Sequence, residues 1–560
     1  MTAAAPLLRS PPFPRVPRDV ATVSAPVEHP SGVRAERDRE HIFTLIREAR
    51  VGGTFWAVPP PVRDATAILA ARSWADALAM YDTLTAAQKR RPLVLLPCGA
   101  RPTGKNARLL RQSVPCATGE VDPWPLLEAG ATIFAHGDNE LAALAGIAGC
   151  ELKLASQGTF GLPDESSERH AARILQKLLD ECTYRNPFEG GETSLEATVE
   201  RLSLWRGIIE ANHGIASAAG IAWWKQAEIK TFLWAPRPLR FPRSEERAIG
   251  IARKRSGAVA IWPSRVSPEM AEKAEAMDVP LVRIEDGFIR SVGLGSNLFP
   301  PFSIALDRRG IHYDPSRPSD LEHLLATSTF PPQLLERAEN LRTFIIRAGV
   351  SKYGASRHHN FPARQPDRRL ILVPGQVEDD MSVLNGGGGL TSNHELLRRA
   401  RAMEPDAEIW FRPHPDVDAG HRKGAVRDED ALALADHVVR GGGMAQLLDI
   451  VDGVHVLTSL TGFEALLRSR PVTCHGTPFY SGWGLTRDIL PAPKRRERAL
   501  SLLELIAGVL ILYPRYLDPV TGLPCPAEIL IRRIAEQQHP RSTWLTRLRS
   551  LQGRIMGVKP

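Results

Sequence analysis

Short apolar runs bounded by Gly, Pro and Asp recur along this chain. They alternate with stretches whose apolar residues return every three or four positions. The runs predict buried strands and the 3.6-residue returns predict amphipathic helices. In the first third, TFWAVP (54–59), PLVLLP (92–97) and ATIFAH (131–136) predict strands, with a helical pattern over 73–90 between the first two. Residues 200–240, carrying Trp205, Trp223, Trp224 and Trp234, predict a helical connector. GAVAIWPS (257–264) and PLVRIED (280–286) predict strands flanking a helix over 267–277. SIALDRRGIHYD predicts a strand, a turn at Arg309-Gly310 and a second strand, and PSDLEHLL and 333–348 predict helices. Beyond a basic loop at 351–369, RLILVP, EIWFRP and GVHVLT predict strands, and NHELLRRARAM and GFEALLRS predict helices. Alternating strand and helix argues for α/β domains with parallel sheets covered by helices.

Several motifs occur twice in the same order. RLILVPGQVEDDMS (370–383), IWFRPHPD (409–416), the segment 455–486 and YLDPVTG (516–522) have earlier counterparts in TFWAVPPPVRDAT (54–66), LVLLPCGARP (93–102), FAHGDNELAALAG (134–146) with SQGTFG (156–161), and YRNPFEG (184–190). Where the later copy has Gln376, Glu378 and His414, this register gives the earlier one Pro61, Arg63 and Cys98. The pattern divides the chain into a disordered tail (1–35), a degenerate nucleotide-binding-like α/β domain (36–200), a second α/β domain (201–360), a third (361–535) and a basic amphipathic tail (536–560).

At 560 residues the chain exceeds one core. Six scattered cysteines without a CxxC pair indicate neither a zinc site nor a disulfide framework. No apolar run reaches the ~20 residues that span a bilayer, and the Pro- and Arg-rich start has no signal-peptide core, so a cytoplasmic protein is expected. The net charge of +8 favours polyanionic partners. No aromatic-studded nucleic-acid motif is present, so the expectation is an anionic membrane face or phosphate-bearing substrates rather than nucleic acid. The segment 535–560 spaces Trp544, Leu545, Leu548, Leu551, Ile555 and Met556 among basic residues, as a helix lying on anionic lipid would. An ordinary helix docked on the body is the competing reading.

The polar residues with chemistry fall just after predicted strands, where α/β sheets bind ligands. In RIEDGFIRS, Arg283, Glu285, Asp286 and Arg290 crowd the end of an apolar strand. That much charge is costly to bury unless it is paired or used. It reads as an ion-pair network or as a carboxylate nucleophile or base held by arginines, with Asp307, His312, Tyr313 and Asp314 completing the wall. In FRPHPD, His414 between two prolines is placed to donate to a phosphate, with Arg412 on the same side, or else caps its loop. Thr458, Ser459 and Thr461 open a helix whose N-terminus is a ready anion site, with Glu464 as a ribose acceptor or a helix cap. Gln376, Glu378, Asp379 and Asp380 share one loop suited to sugar hydroxyls or to ordering a basic partner. Without a histidine it is a poor metal site, and Gly386–Gly389 lacks the GK[ST] ending of a phosphate loop.

Taken together, RIEDGFIRSVGLGS, PPFSIALDRRGIHYDPSRPSDLE, ILVPGQVEDDMSV, FRPHPDV and TSLTGFEALLRSRPVTCHGTPFYSGWGLT resemble the bacterial capsule β-Kdo transferases of the KpsC type. The resemblance implies a GT-B-like pair of Rossmann-type domains, preceded here by the degenerate Rossmann-like N-terminal domain. It implies transfer of β-Kdo from CMP-Kdo to a lipid-linked acceptor at the inner membrane face, in capsule assembly and alongside other capsule proteins, with retention and without a metal. Asp286 is then the nucleophile, with Glu285 beside it. Arg290 and Arg283 pair the Kdo carboxylate, and His312 is a hydrogen-bond partner or proton carrier. His414, Ser459 and Glu464 hold CMP, with Arg412, Thr461, Gln376 and Glu378 in the same donor site. Relatives of full length carry two complete modules, each with EDG and HP motifs. This chain has one EDG (Glu285-Asp286-Gly287) and one HP (His414-Pro415). The alternatives are a non-catalytic assembly or export factor and a transferase for another CMP-activated ulosonic acid.

Overall fold

The computed structural model describes residues 6–17, 23–26, 39–290, 300–351, 354–355 and 359–536. The basic tail expected over 536–560 lies outside them except for its first residue, as does SVGLGS after Arg290. The chain divides into two compact units. One runs to Gly214 and includes Leu233–Leu239; the other comprises Ile215–Phe232 and the chain from Arg240 on.

The first unit is built on five strands, β1 (Ala67–Ala70), β2 (Pro92–Leu96), β3 (Cys116–Thr118), β4 (Thr132–Ala135) and β5 (Leu152–Leu154). All pair in parallel, in the order β3-β2-β1-β4-β5. β1 and β4 are buried along their whole length, as strands covered by helices on both faces must be. Helices α1 (Trp74–Asp82) and α2 (Glu140–Ala148) start where Ser73 and Asn139 accept hydrogen bonds from the first-turn N–H groups of Asp76 and Leu141. The long helix α3 (Leu195–Asn212) buries Trp205 and Arg206, and Arg206 pairs with the buried Asp122 at 2.8 Å.

Two expectations fail here. TFWAVP is not a strand: residues 53–56 form a turn, and only Val58 bridges to Val121. The strand that opens the sheet is β1, whose alanine-rich run carries a weaker apolar signal than the aromatic one before it. Nor is the start of the chain uniformly disordered. Leu7, Leu8, Phe13 and Val23 are buried, and Phe13 packs between the rings of Trp205 (5.3 Å) and Trp234 (5.1 Å). Composition reads the segment as polar, whereas its few apolar side chains find partners far along the chain.

The second unit holds two six-stranded sheets. Strands β6 (Ile215–Ala219), β7 (Ala258–Ile261), β8 (Leu281–Asp286) and β9 (Ser303–Asp307) form the middle sheet. β10 (Leu370–Pro374), β11 (Glu408–Arg412), β12 (His437–Val438), β13 (Gly453–Val456), β14 (Val472–Cys474) and β15 (Arg487–Asp488) form the other, all parallel, in the order β12-β11-β10-β13-β14-β15. The chain then returns to the middle sheet with β16 (Arg515–Leu517) and β17 (Pro524–Cys525), giving the order β17-β16-β9-β8-β7-β6. Residues 515–525 therefore belong to the middle sheet rather than to a third domain running to 535. The helical connector expected over 200–240 also conceals β6. The middle sheet is mixed: β6, β7 and β8 are parallel, while β9, β16 and β17 pair antiparallel, so it is not wholly of the Rossmann kind. The second strand expected after Arg309-Gly310 does not form. The buried Asp307 carboxylate accepts from the N–H groups of Arg309 (3.0 Å), Gly310 (2.8 Å) and Asp320 (2.9 Å) and so turns the chain into a loop.

In the parallel sheet, helices α4 (Met381–Gly386), α5 (Asn393–Met403), α6 (Pro415–Asp418) and α7 (Leu460–Leu467) begin at the carboxyl side of the strands, capped by Asp380, Ser392, His414 and Ser459.

Candidate functional site

A cavity of about 980 Å³ opens at the strand ends of the second unit. One wall comes from the end of β8 and the loop after β9, with Glu285, Asp286, Phe288, His312 and Tyr313. The other comes from the ends of β10, β11 and β13 and the helices that follow, with Gln376, Asp380, Arg412, His414, Ser459, Thr461 and Glu464.

Asp286 ends β8. Its Oδ1 accepts from Lys225 Nζ at 2.9 Å and its Oδ2 from Arg290 Nε at 2.7 Å. Burial works to raise its pKa, but the two cations outweigh it and hold the carboxyl below its ordinary value. Glu285 beside it is pushed up to about 7, first by burial and then by the charge of Asp286. Its Oε1 accepts from the Asp286 N–H at 3.1 Å. Two neighbouring carboxyls are thus pulled apart in acidity, one kept anionic and the other poised near neutrality. The glycine that follows is required by packing. A Cβ at Gly287 would lie 2.2 Å from Ser303 Oγ on β9.

His312 stacks edge-on against Phe288 (4.9 Å), Phe479 (5.8 Å) and Tyr513 (6.0 Å), which fixes its ring beside the carboxylate strand end. The buried Tyr313 hydroxyl lies close enough for Glu285 and Asp380 to act on it, and burial first, then those charges, push its pKa up. Asp307 and Asp314 do not line the cavity: both are spent on turns, Asp314 accepting from Ser316 N–H at 3.0 Å.

On the opposite wall, His414 is both cap and cavity residue. Its Nδ1 accepts from the Asp416 N–H (3.2 Å), so in the neutral ring the proton sits on Nε2 and makes it a donor. Arg412 donates to the carbonyls of Gly441 (2.6 Å) and Gly442 (2.7 Å), which anchors the glycine loop and leaves its charge at the cavity edge. Ser459 caps α7 by accepting from Thr461 N–H (3.2 Å), and the Tyr480 hydroxyl donates to the Ser459 carbonyl. That contact requires Gly462, where a Cβ would stand 2.2 Å from the Tyr480 oxygen.

The remaining expected residues part company. Gln376 is buried and clamped: its Nε2 donates to Thr458 Oγ1 (3.0 Å) and its Oε1 accepts from Thr458 N–H (2.8 Å). It ties the end of β10 to that of β13 rather than offering its amide to a ligand. Glu378 is not in the cavity lining; it accepts from the first N–H of α5, that of Asn393, at 2.8 Å. Arg283 also lies off the cavity, and Arg290, 2% exposed, is committed to Asp286. Arg283 stands on β8 two residues before Glu285, outside the lining, and the ion pair with Asp286 holds Arg290 inward. Among the described residues the arginines that line the cavity, besides Arg412, are Arg265 and Arg422, the latter paired with Asp379 at 3.0 Å. The sequence missed these two and also Lys225. The Trp223-Trp224-Lys225 run lies in the loop a few residues after β6, and recognising IASAA as a strand would have flagged it.

A family model described as "Capsule polysaccharide biosynthesis protein" matches residues 257–516, which include all the cavity-lining residues. The chain is 39% identical over 377 residues to "Capsule polysaccharide modification protein LipA" of Neisseria meningitidis serogroup B, covering 66% of this chain and 53% of that protein. It is 44% identical over 264 residues to "Lipopolysaccharide-processing protein LpsZ" of Rhizobium meliloti, covering 47% of this chain and 60% of that protein. Among solved structures, Thermosulfurimonas dismutans KpsC, titled a beta Kdo 2,4 transferase, is similar at 32% identity with a TM-score of 0.51, covering 58% of this chain and 99% of that one. The chain spans about half the length of the LipA relative.

Proposed function

Since this chain belongs to the KpsC-type capsule polysaccharide biosynthesis proteins, we propose that its second unit is a GT-B-like, retaining transferase moving β-Kdo from CMP-Kdo to a lipid-linked acceptor. The observation that carries this reading is Asp286, a carboxylate held between two cations on one wall of a cavity whose other wall holds the helix caps His414 and Ser459. In the first step an Asp286 carboxylate oxygen bonds to the anomeric carbon as the bond from that carbon to the CMP phosphate oxygen breaks. CMP departs with the electron pair. In the second, an acceptor hydroxyl attacks the same carbon, its proton passes to Glu285, and the Asp286 ester bond breaks. Glu285, with a pKa pushed up to about 7, is suited to accept that proton near neutrality. The departing phosphate meets the His414 Nε2–H and the N-terminus of α7, with Arg412 and Arg422 supplying charge at the cavity edge. His312 packs the sugar pocket beside Phe288. Cationic side chains take the role a metal would have, so turnover should survive chelation. Among the described residues no helix is long and apolar enough to cross a membrane. Attachment to the anionic inner face, through the acceptor lipid and residues 536–560, is part of the proposal, and vesicle co-sedimentation with and without that tail tests it.

The deciding experiment incubates the protein with CMP-Kdo and follows free CMP and intact protein mass. A Kdo adduct that disappears in Asp286→Ala, with turnover lowered at least ~10³-fold, is expected. Near wild-type turnover in Asp286→Ala removes the mechanism, and CMP release from other CMP-sugars but not CMP-Kdo changes the donor.

A further inference from the structure

Three neighbouring parallel strands of the middle sheet each bring one side chain to the same point. After β6 comes Lys225, directly after β7 comes Trp262, and β8 ends in Asp286. Lys225 is 8% exposed, and its Nζ lies 3.4 Å from the centroid of the Trp262 ring, 5.2 Å from that of Trp224 and 2.9 Å from Asp286 Oδ1. An ammonium buried this far is tolerated because an aromatic face and a carboxylate replace its water. Lys225 does not line the cavity; it stands behind Asp286, which does. Arg290 holds the other carboxylate oxygen from the loop that follows β8. The carboxylate is therefore gripped at both oxygens by cations from two different elements, and its orientation toward the cavity depends on both.

We infer that Lys225, caged against Trp262, is a positioning residue that aims the Asp286 carboxylate into the cavity and supplies half of its countercharge. This rests on the reading of Asp286 as nucleophile. The charged groups facing Lys225 are Asp286, Glu285 and Arg290, and Asp380 acts on Glu285 from across the cavity. Burial, the largest influence, lowers the Lys225 pKa, and Asp286 opposes it. The pair is thus mutually dependent: without the ammonium, Asp286 keeps one cation and protonates more readily.

The test measures single-turnover CMP release from CMP-Kdo across pH with the full chain. Lys225→Met keeps the stem against Trp262 and deletes the charge. We expect about a 100-fold slower first step, as for loss of one preorganised charge, with the donor concentration for half-saturation changed less than about threefold. The acid limb should move to higher pH. Trp262→Leu, which leaves the ammonium but not its cage, should move the limb the same way by less, and Lys225→Arg should return it toward wild type. A wild-type rate in Lys225→Met, or a loss uniform at all pH values with the limb unmoved, overturns the inference. If Lys225→Met does not fold or turns over too slowly to profile, an unmoved limb in Trp262→Leu overturns it instead. Asp286→Ala separates the two possible failures. Turnover retained there means the nucleophile reading failed, whereas a dead Asp286→Ala beside an unmoved limb means Lys225 alone was misassigned.

Discussion

The two wholly parallel sheets of this protein carry the same order of strands and put opposite demands on the crevice at their ends. Read in chain order within each sheet, both run third-second-first-fourth-fifth, the second adding a sixth strand. That order creates a switch point where the crossovers diverge, and ligands of open α/β sheets sit there. In the first unit the crevice has a volume of about 530 Å³, and its central Glu140 and His136 are bonded within the protein itself. Glu140 is paired in a fork with Arg9, whose guanidinium also lies over Trp56, and His136 bonds Asp76 (2.7 Å) and Ser156 (2.9 Å). In the second unit the helix caps His414 and Ser459 face a cavity of about 980 Å³ shared with a carboxylate strand end. One topology serves as a self-satisfied body in one case and as an open site in the other. The difference lies in what the side chains after each strand are left to bond.

The structure also resets the pairing of the two copies. β10 ends at Pro374 and β1 at Ala70, so Gln376 answers to Arg72, not Pro61, while Cys98 and His414 each stand two residues beyond their strands, as the motif comparison has it. Asn139 and Ser459 are equivalent helix caps, which aligns Glu140 with Leu460 and leaves Glu464 opposite Leu144.

The largest effect should come from the open site. Asp286→Ala lowers transfer at least ~10³-fold, while Arg72→Ala in the first-unit crevice leaves it within about twofold; a comparable loss from both would erase the contrast. Next comes the body. Arg206→Ala strands the buried Asp122, whose pKa burial already raises despite the arginine, and should cost about 3–5 kcal/mol in thermal or denaturant unfolding. Asp286→Ala likewise strands two buried cations, Lys225 and Arg290, and should cost the fold a comparable amount. Third, Gln376→Ala leaves the buried Thr458 N–H without its acceptor, at about 1–3 kcal/mol, and should weaken donor binding by loosening the β10–β13 strand ends. Arg9→Ala should cost under about 1 kcal/mol, since that pair is a quarter exposed.

Protonation provides a finer test. The folded pKa of Glu285 is raised to about 7, so the acceptor step should rise as pH increases through 7, and Glu285→Gln should flatten that limb. The same shift favours folding at low pH, a contribution lost as pH rises through 7. His455 and His475 behave in the opposite sense. They touch at 3.1 Å between β13 and the end of β14, and burial lowers both to about 4. The unfolded chain takes up their protons first, so this contribution is intact above about 6.5 and lost as pH falls toward 4. Replacing both by apolar residues should blunt acid unfolding, and an unchanged midpoint would show that other groups set it.

Much of the site was legible from the sequence alone, because strand ends carry a local signature: an apolar run followed by polar residues beside a glycine or proline. Asp286 and His414 each sit at such an end, and Gly287 and Gly462 mark places where neighbouring elements approach too closely for a side chain. Periodicity and caps also determined the parallel sheets, since those depend on residues a few positions apart. What the tertiary structure alone decided is how the polar groups are spent. Lys225 is 61 residues from Asp286 and Gln376 is 82 from Thr458. Whether a given arginine meets a ligand, as Arg265 is free to do at the cavity edge, or a carboxylate, as Arg290 does, depends on burial and on partners brought from elsewhere in the fold. Hydrogen bonds and ion pairs are satisfied by proximity in space, and nothing in local spacing records that.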